Sequence, residues 1–247
     1  MQTHPAAYDD FAWIYDRHWG RDTVRDLGTI GRVVLDDRPP PARVLDLCCG
    51  TGQLDRALHE RGYAVTGVDG SPEMIAHARR NAPQCEFIVA DARDFSVPGR
   101  YDVALSMYDS LNHLMELDDL RRAFGSVRRA LNPGAPFLFD LNMAEGYRAR
   151  WRGSFGVVED DCAAIVRSGY DEASATGELL ATLFRRGDGW ERSDVVLRQR
   201  CYSAKDVAGA LAAEGFSRTR IIDAARDLGL AKQVGRSYFL ASALAAG

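Results

Sequence analysis

The first forty residues carry apolar and aromatic side chains at helical spacing. Tyr8, Phe11, Ala12, Tyr15 and Trp19 share one face. Val24, Leu27, Ile30 and Val34 keep the same period in a second stretch, which ends at the Pro39-Pro40-Pro41 breaker. Beyond the prolines, short and nearly continuous apolar runs alternate with amphipathic segments. This predicts strands over residues 43–47, 64–68, 86–90, 101–107 and 136–141, with helices over 52–61, 71–81 and 117–131. Gly62 closes the first of these helices, Ser71-Pro72 caps and opens the second, and Asn132-Pro133-Gly134 ends the third. Strands that are apolar at every position are buried on both faces. The alternation therefore predicts a parallel sheet covered by helices.

The pattern changes over residues 153–203. β-Compatible runs at 162–168, 179–186 and 195–202 are separated by glycine-bearing turns, including Gly187-Asp188-Gly189. They read as an antiparallel insertion after the fifth strand. Ser203 and Asp206 form a capping box for a helix that stops at Gly215, and two last strands are expected over 218–223 and 237–243. The whole chain of 247 residues reads as one α/β domain: a doubly wound, mostly parallel seven-stranded sheet with the antiparallel β insertion.

Composition narrows the function. A net charge of −4 gives no footprint for nucleic acid or an anionic membrane, and Arg121, Arg122, Arg128 and Arg129 sit within one amphipathic helix. The five cysteines include the neighbours Cys48 and Cys49 but no CxxC pair. The Cys/His spacing suggests no zinc site, so no metal is expected, and the thiols fit a reducing compartment. Asp9, Asp10 and Asp16 exclude a signal peptide, and no apolar stretch reaches membrane-spanning length. The expectation is a soluble cytoplasmic protein.

The segment richest in chemistry is Asp46-Leu47-Cys48-Cys49-Gly50-Thr51-Gly52, a strand running into a glycine turn and then a helix. Such a turn lets the backbone approach a ligand, and the helix start presents free N–H groups. Asp69, at the end of the second strand, can accept hydrogen bonds from both hydroxyls of a ribose. Nicotinamide-binding folds share both features. In their GxGxxG pattern, however, the third glycine would fall at Asp55, a side chain expected to disfavour close helix–strand packing.

Asp46-x-Cys48-x-Gly50-x-Gly52 resembles motif I of the class I S-adenosylmethionine-dependent methyltransferases, with Cys48 at the first glycine position. Val68-Asp69-Gly70-Ser71-Pro72-Glu73-Met74 resembles the second motif of that family. Ala90-Asp91-Ala92 resembles the element that bonds the adenine amino group, Ser106-Met107-Tyr108-Asp109-Ser110 resembles motif IV, and Leu131-Asn132-Pro133-Gly134 resembles the turn before the fifth strand. Tyr8-x-x-Phe11-Ala12-x-x-Tyr15-Asp16 is similar to small-molecule methyltransferases of bacterial secondary metabolism, including the aminosugar N,N-dimethyltransferases.

The resemblance implies a Rossmann-like fold that binds S-adenosylmethionine and its product S-adenosylhomocysteine. It implies cofactor contacts from Tyr8, Tyr15, Asp46, Cys48, Gly50, Gly52, Asp69, Gly70, Met74, Asp91, Ala92, Ser106 and Met107. Residues 1–38 would form a helical lid, 42–141 the cofactor-binding core, 153–203 a cover for the acceptor, and 204–247 the closing helix and strands. Candidates for the chemistry are Tyr108, Asn112 and His113 after the fourth strand, with His113 as a base, Asn142 after the fifth, and Tyr15. The bland alternatives are that His113 caps its helix, Asn142 fixes a turn, and one of Tyr8 and Tyr15 is core. The acceptor would be an amine or hydroxyl of a small metabolite. A non-methyl use of the sulfonium, such as cyclisation, and a non-catalytic cofactor-binding partner stay open. Nucleic acid is disfavoured by charge and by the missing Asn/Asp-Pro-Pro-Tyr tetrapeptide, and a flat insertion leaves a homodimer open.

Overall fold

The computed structural model describes residues 4–25 and 27–244. Helix α1 (His4–His18), a short 3-10 turn (Gly20–Val24) and α2 (Leu27–Val34) precede the sheet. The core then alternates β1 (Arg43–Leu47), α3 (Gln53–His59), β2 (Ala64–Asp69), α4 (Pro72–Asn81), β3 (Glu86–Val89), β4 (Val103–Ser106), α5 (Leu117–Ala130) and β5 (Pro136–Asn142). The helix α6 (Ala144–Arg150) leads into β6 (Gly153–Val158), β7 (Cys162–Asp171), β8 (Thr176–Arg186) and β9 (Trp190–Arg200). Helix α7 (Ala204–Ala213), β10 (Phe216–Asp223), α8 (Ala224–Leu228) and β11 (Arg236–Ala243) complete the chain.

The main sheet has seven strands in the order β10-β11-β5-β4-β1-β2-β3. The first five strands run parallel, while β11 is antiparallel to both β5 and β10. Strand β1 lies between β2 and β4, so the winding reverses there and the carboxyl ends of β1, β2 and β4 open on a crevice. The core strands β1, β4 and β5 are buried almost throughout, as their unbroken apolar runs predicted.

The insertion is a separate four-stranded antiparallel sheet, β6-β7-β8-β9. Its strands outrun the apolar segments because the hairpin ladders continue past them, from Cys162↔Arg185 to Asp171↔Thr176 and from Thr176↔Arg200 to Arg186↔Trp190. Strand β6 was not expected: Phe155 and Val158 are exposed, so it lacks the alternation of a half-buried strand. Helices α6 and α8 were also missed, being too short to show a helical period.

Helix α1 joins the two sheets. Phe11 and Ile14 are buried against Cys162, Ala164, Val166, Ala181, Leu183, Val195 and Leu197, the inward face of the insertion. Its polar face reaches the core. Asp16 accepts hydrogen bonds from Gln53 (2.7 Å) and Asn81 (2.6 Å), and Asp9 accepts one from the Ser71 hydroxyl (2.5 Å).

One close approach sets the packing of α3 on β2. A Cβ on Gly67 would lie 2.7 Å from the Phe87 ring and 2.8 Å from Asp55 Oδ1. Asp55 stands where a dinucleotide fold would have its third glycine, and the space is made from the strand side instead. Close helix–strand packing therefore accommodates Asp55 here through Gly67. Gly67→Ala should lower stability by about 1–3 kcal/mol through overpacking. Urea unfolding would check this, and an unchanged midpoint would mean that Asp55 and Phe87 yield freely.

Candidate active site

After β1 the backbone turns through Cys48 (φ 60°), Gly50 (φ 56°) and Gly52 (φ 81°). At Gly52 a side chain would overlap Ala78 at 2.9 Å, so glycine is required for space as well as for conformation. Cys48 adopts the left-handed conformation with a side chain, at a cost of about 1–2 kcal/mol. Its place at the first glycine of the motif is therefore a strained one. Asp69 braces the loop: its Oδ2 accepts from Gly50 N–H and its Oδ1 from Ser71 N–H, each at 2.9 Å. Burial pushes the Asp69 carboxyl up, and these N–H groups hold it down.

A cavity of about 770 Å³ opens above this loop. It is lined by ten of the residues the sequence points to: Tyr8, Tyr15, Cys48, Gly50, Asp69, Gly70, Met74, Asp91, Ala92 and His113. Tyr15 leans over the glycine turn, its Cε1 3.6 Å from where a Cβ on Gly50 would sit. Burial raises the pKa of both tyrosines, so they stand as neutral phenols. Asp91 accepts a charge-assisted hydrogen bond from Arg93 (2.5 Å), which lowers its pKa. Arg93 also reaches Asp119 at 3.1 Å.

Five expected site residues lie elsewhere. Gly52 is packed on Ala78, and Ser106 and Met107 are buried at the end of β4 without lining the cavity. Asn142 is buried in the core, where its N–H donates to Asn112 Oδ1 (2.9 Å) and its Oδ1 accepts from Arg150. Asp46 lies under the loop beside the fully buried Asp55. Burial pushes Asp55 up to about 7, and burial with repulsion from Asp55 holds Asp46 well above the ordinary carboxylate range. Asp46 is thereby held toward its neutral form, away from the cavity wall.

The far end of the cavity is built on Tyr108 and Asp109, consecutive left-handed residues at φ 63° and 51°. Asp140 on β5 accepts both their N–H groups, at 2.6 and 2.9 Å, and is ion-paired with Arg236 on β11. Arg236 also meets Asp109 at 2.5 Å. Gln199 donates to Asp109 Oδ2 (2.6 Å) and accepts from the Tyr147 hydroxyl (2.9 Å).

His113 stands at the centre of this end. Its Nδ1 lies 2.8 Å from the Arg198 carbonyl oxygen, which can only accept, so Nδ1 carries the proton. Its Nε2 then accepts from the Tyr8 hydroxyl at 2.9 Å. Burial pulls the imidazole pKa down to about 4, below the neutral range expected of a proton-exchanging histidine.

Tyr108 was a candidate after the fourth strand and Asp109 lay in the motif IV resemblance, whereas Gln199 and Arg236 were not singled out from the sequence. Gln199 did carry a sign: it falls in register with Val195 and Leu197, so an amide sits on an otherwise apolar strand face. Arg236 carried none, because its partners Asp109 and Asp140 are 127 and 96 residues away.

Residues 44–134 match the family described as Methyltransferase domain. The chain is 30% identical over 241 residues to the protein designated methyltransferase YqeM of Bacillus subtilis (strain 168), spanning 95% of this chain and 96% of that one. It is 29% identical over 222 residues to the dTDP-3-amino-3,4,6-trideoxy-alpha-D-glucopyranose N,N-dimethyltransferase of Streptomyces venezuelae, covering 83% and 91% of the two chains. Its fold is like that of an S-adenosylmethionine-dependent methyltransferase from Clostridium acetobutylicum ATCC 824, with a TM-score of 0.78 at 22% identity, over 96% and 99% of the chains.

The raised carboxyls of Asp46 and Asp55 make stability depend on pH. Folded pKa values above the unfolded carboxylate value give stability that is complete below about pH 4 and is lost as pH rises through the folded values, about 7 for Asp55. Asp55→Asn removes one ionisation, so its stability should fall less than that of the wild type between about pH 4 and 8. Urea unfolding across that range checks the sign. Parallel profiles would show that the pair does not couple.

Proposed function

The chain belongs to the class I S-adenosylmethionine-dependent methyltransferases, and from that premise we propose that it methylates an amine of a small metabolite. When bound, the cofactor would supply a methyl group on a cationic sulfonium, open to in-line attack by an acceptor lone pair as the thioether leaves. The residues at the loop suit that ligand. Asp69 is a carboxylate at ribose height, the glycine turn allows close approach, and two neutral phenol rings offer faces to a cation. Helix α1 then serves as a lid, with Tyr8 and Tyr15 at the cofactor and Phe11 seated on the insertion.

The observation that carries the amine reading is the state of His113. A hydroxyl must surrender its proton as it is methylated, and an effective base has a pKa near the working pH. An imidazole near 4, with Nδ1–H committed to a carbonyl and Nε2 to Tyr8, is a poor base and a good positioning group. A neutral amine attacks without prior deprotonation, so positioning and exclusion of water suffice. The likeness to an aminosugar N,N-dimethyltransferase supports the same class of acceptor.

Two measurements test this. Asp69→Ala should weaken S-adenosylmethionine and S-adenosylhomocysteine binding by about 1.5–3 kcal/mol in calorimetry, the worth of hydrogen bonds to a charged group. Unchanged affinity would remove Asp69 from the cofactor site. In a mass-spectrometric screen of amines and alcohols, methylated product should come from amines. His113→Ala should then cost less than the 10²–10⁴-fold typical of a lost base, with no shift of the pH profile. Turnover confined to alcohols, or a loss of that size, would overturn the amine reading.

A further inference from the structure

A second cluster of chemically capable side chains lies outside the cavity, where α1 ends against the start of the insertion. His18 is the last residue of α1, Glu159 follows β6, and Cys162 opens β7. One ligand atom from each falls within 4.8 Å of the other two. His18 Nε2 stands 3.7 Å from Glu159 Oε1, and Cys162 Sγ stands 3.8 Å from Glu159 Oε2. None of the three lines the cavity.

We propose that His18, Glu159 and Cys162 form a zinc site that clips the lid helix to the insertion. The donor set is the first argument. Imidazole nitrogen, carboxylate oxygen and thiolate sulfur are the three protein ligands of Zn²⁺, and three of them with one open position make a complete tetrahedral site. At zinc bond lengths of roughly 2.0–2.3 Å, neighbouring ligand atoms in a tetrahedron lie about 3.3–3.6 Å apart. The three ligand atoms lie within 4.8 Å of one another, so side-chain rotations that draw them together by about an ångström would close the set on an ion.

Burial supplies the second argument. His18 Nε2 is shielded from solvent and has no hydrogen-bond partner among the described residues. A buried ring nitrogen without a partner carries a desolvation cost that a bound cation removes. Cys162 is wholly buried as well, while Glu159 is partly exposed and gives an ion a path from solvent.

The surroundings balance the charge. Arg17 is ion-paired with Glu159 Oε2 and with Asp161 (2.9 Å), which leaves Glu159 Oε1 on the His18 side. A divalent ion and Arg17 together match Glu159, Asp161 and a Cys162 thiolate. Arg17 also acts as the outer partner that ligating carboxylates commonly have. The next residue after His18 is Trp19, which lines the cavity and stacks on Phe11 with centroids 5.3 Å apart. An ion here would therefore fix the end of the lid while touching neither cofactor nor acceptor.

The test uses the full chain, stripped with a chelator and titrated with Co²⁺ as a spectroscopic stand-in. One equivalent should bind with a thiolate-to-cobalt charge-transfer band in the near ultraviolet, and Zn²⁺ should displace it and raise Tm. His18→Gln and Cys162→Ser should abolish the band while leaving S-adenosylhomocysteine binding intact. If the buried Cys162→Ser variant fails to fold, His18→Gln and Glu159→Gln, at less buried positions, carry the comparison. No band, or a band that survives loss of a ligand because another cysteine supplies the sulfur, overturns the proposal.

Discussion

A single buried carboxylate, Asp140, holds up the far end of the cavity. Two consecutive residues with side chains, Tyr108 and Asp109, are forced into the left-handed region after β4. Such a pair persists only when its surroundings over-determine it. Asp140 does so by taking both backbone N–H groups, and Arg236 supplies the charge that keeps a carboxylate tolerable in the interior. Three strands, β4, β5 and β11, are thereby locked at their site-facing ends. Gln199 then ties the insertion to Asp109, and His113 ties it to Tyr8 on the lid. The polar lattice is continuous from the last strand of the sheet to the first helix.

Helix α1 is accordingly less a flap than a shared wall. One side of α1 is core to the insertion, and its other side is bonded to α3 and α4 through Asp9 and Asp16. Those aspartates interrupt the apolar pattern of the N-terminal segment, and in the fold they are the anchors that carry it to the glycine loop. Thr51 and Gln53 extend the connection, with the Thr51 hydroxyl donating to Gln53 Oε1 at 2.7 Å. Opening the cavity therefore costs hydrogen bonds at the cofactor end as well as apolar contact at the acceptor end.

The core strands and their helices were legible because each depends on local information. A run of apolar residues buried on both faces, a serine cap at Ser71 and a breaker at Pro133 suffice. The cofactor half of the site was legible for a related reason: it hangs on turns directly after β1 and β2, so its residues follow recognisable strand ends. The acceptor half was not. Arg236 and Gln199 come from late in the chain and meet Asp109 only through tertiary packing. Asp46 and Asn142 look functional in sequence yet turn into the interior, because a residue at a strand end can point above or below the sheet without any change in pattern. His113 was found, but its proton affinity was not legible, since burial rather than identity lowers it.

The insertion sheet has a further consequence for how such a protein can change. Its inward face, through Val166, Leu179, Leu197 and Gln199, forms part of the cavity wall, while the glycine loop and Asp69 belong to a different sheet. A substitution on β7, β8 or β9 can thus reshape what is admitted beside the methyl donor without disturbing the donor's own cradle. Selection for a new acceptor and retention of an old cofactor act on separable stretches of one gene. In a laboratory, the same separation recommends these three strands as the place to randomise when a different acceptor is wanted.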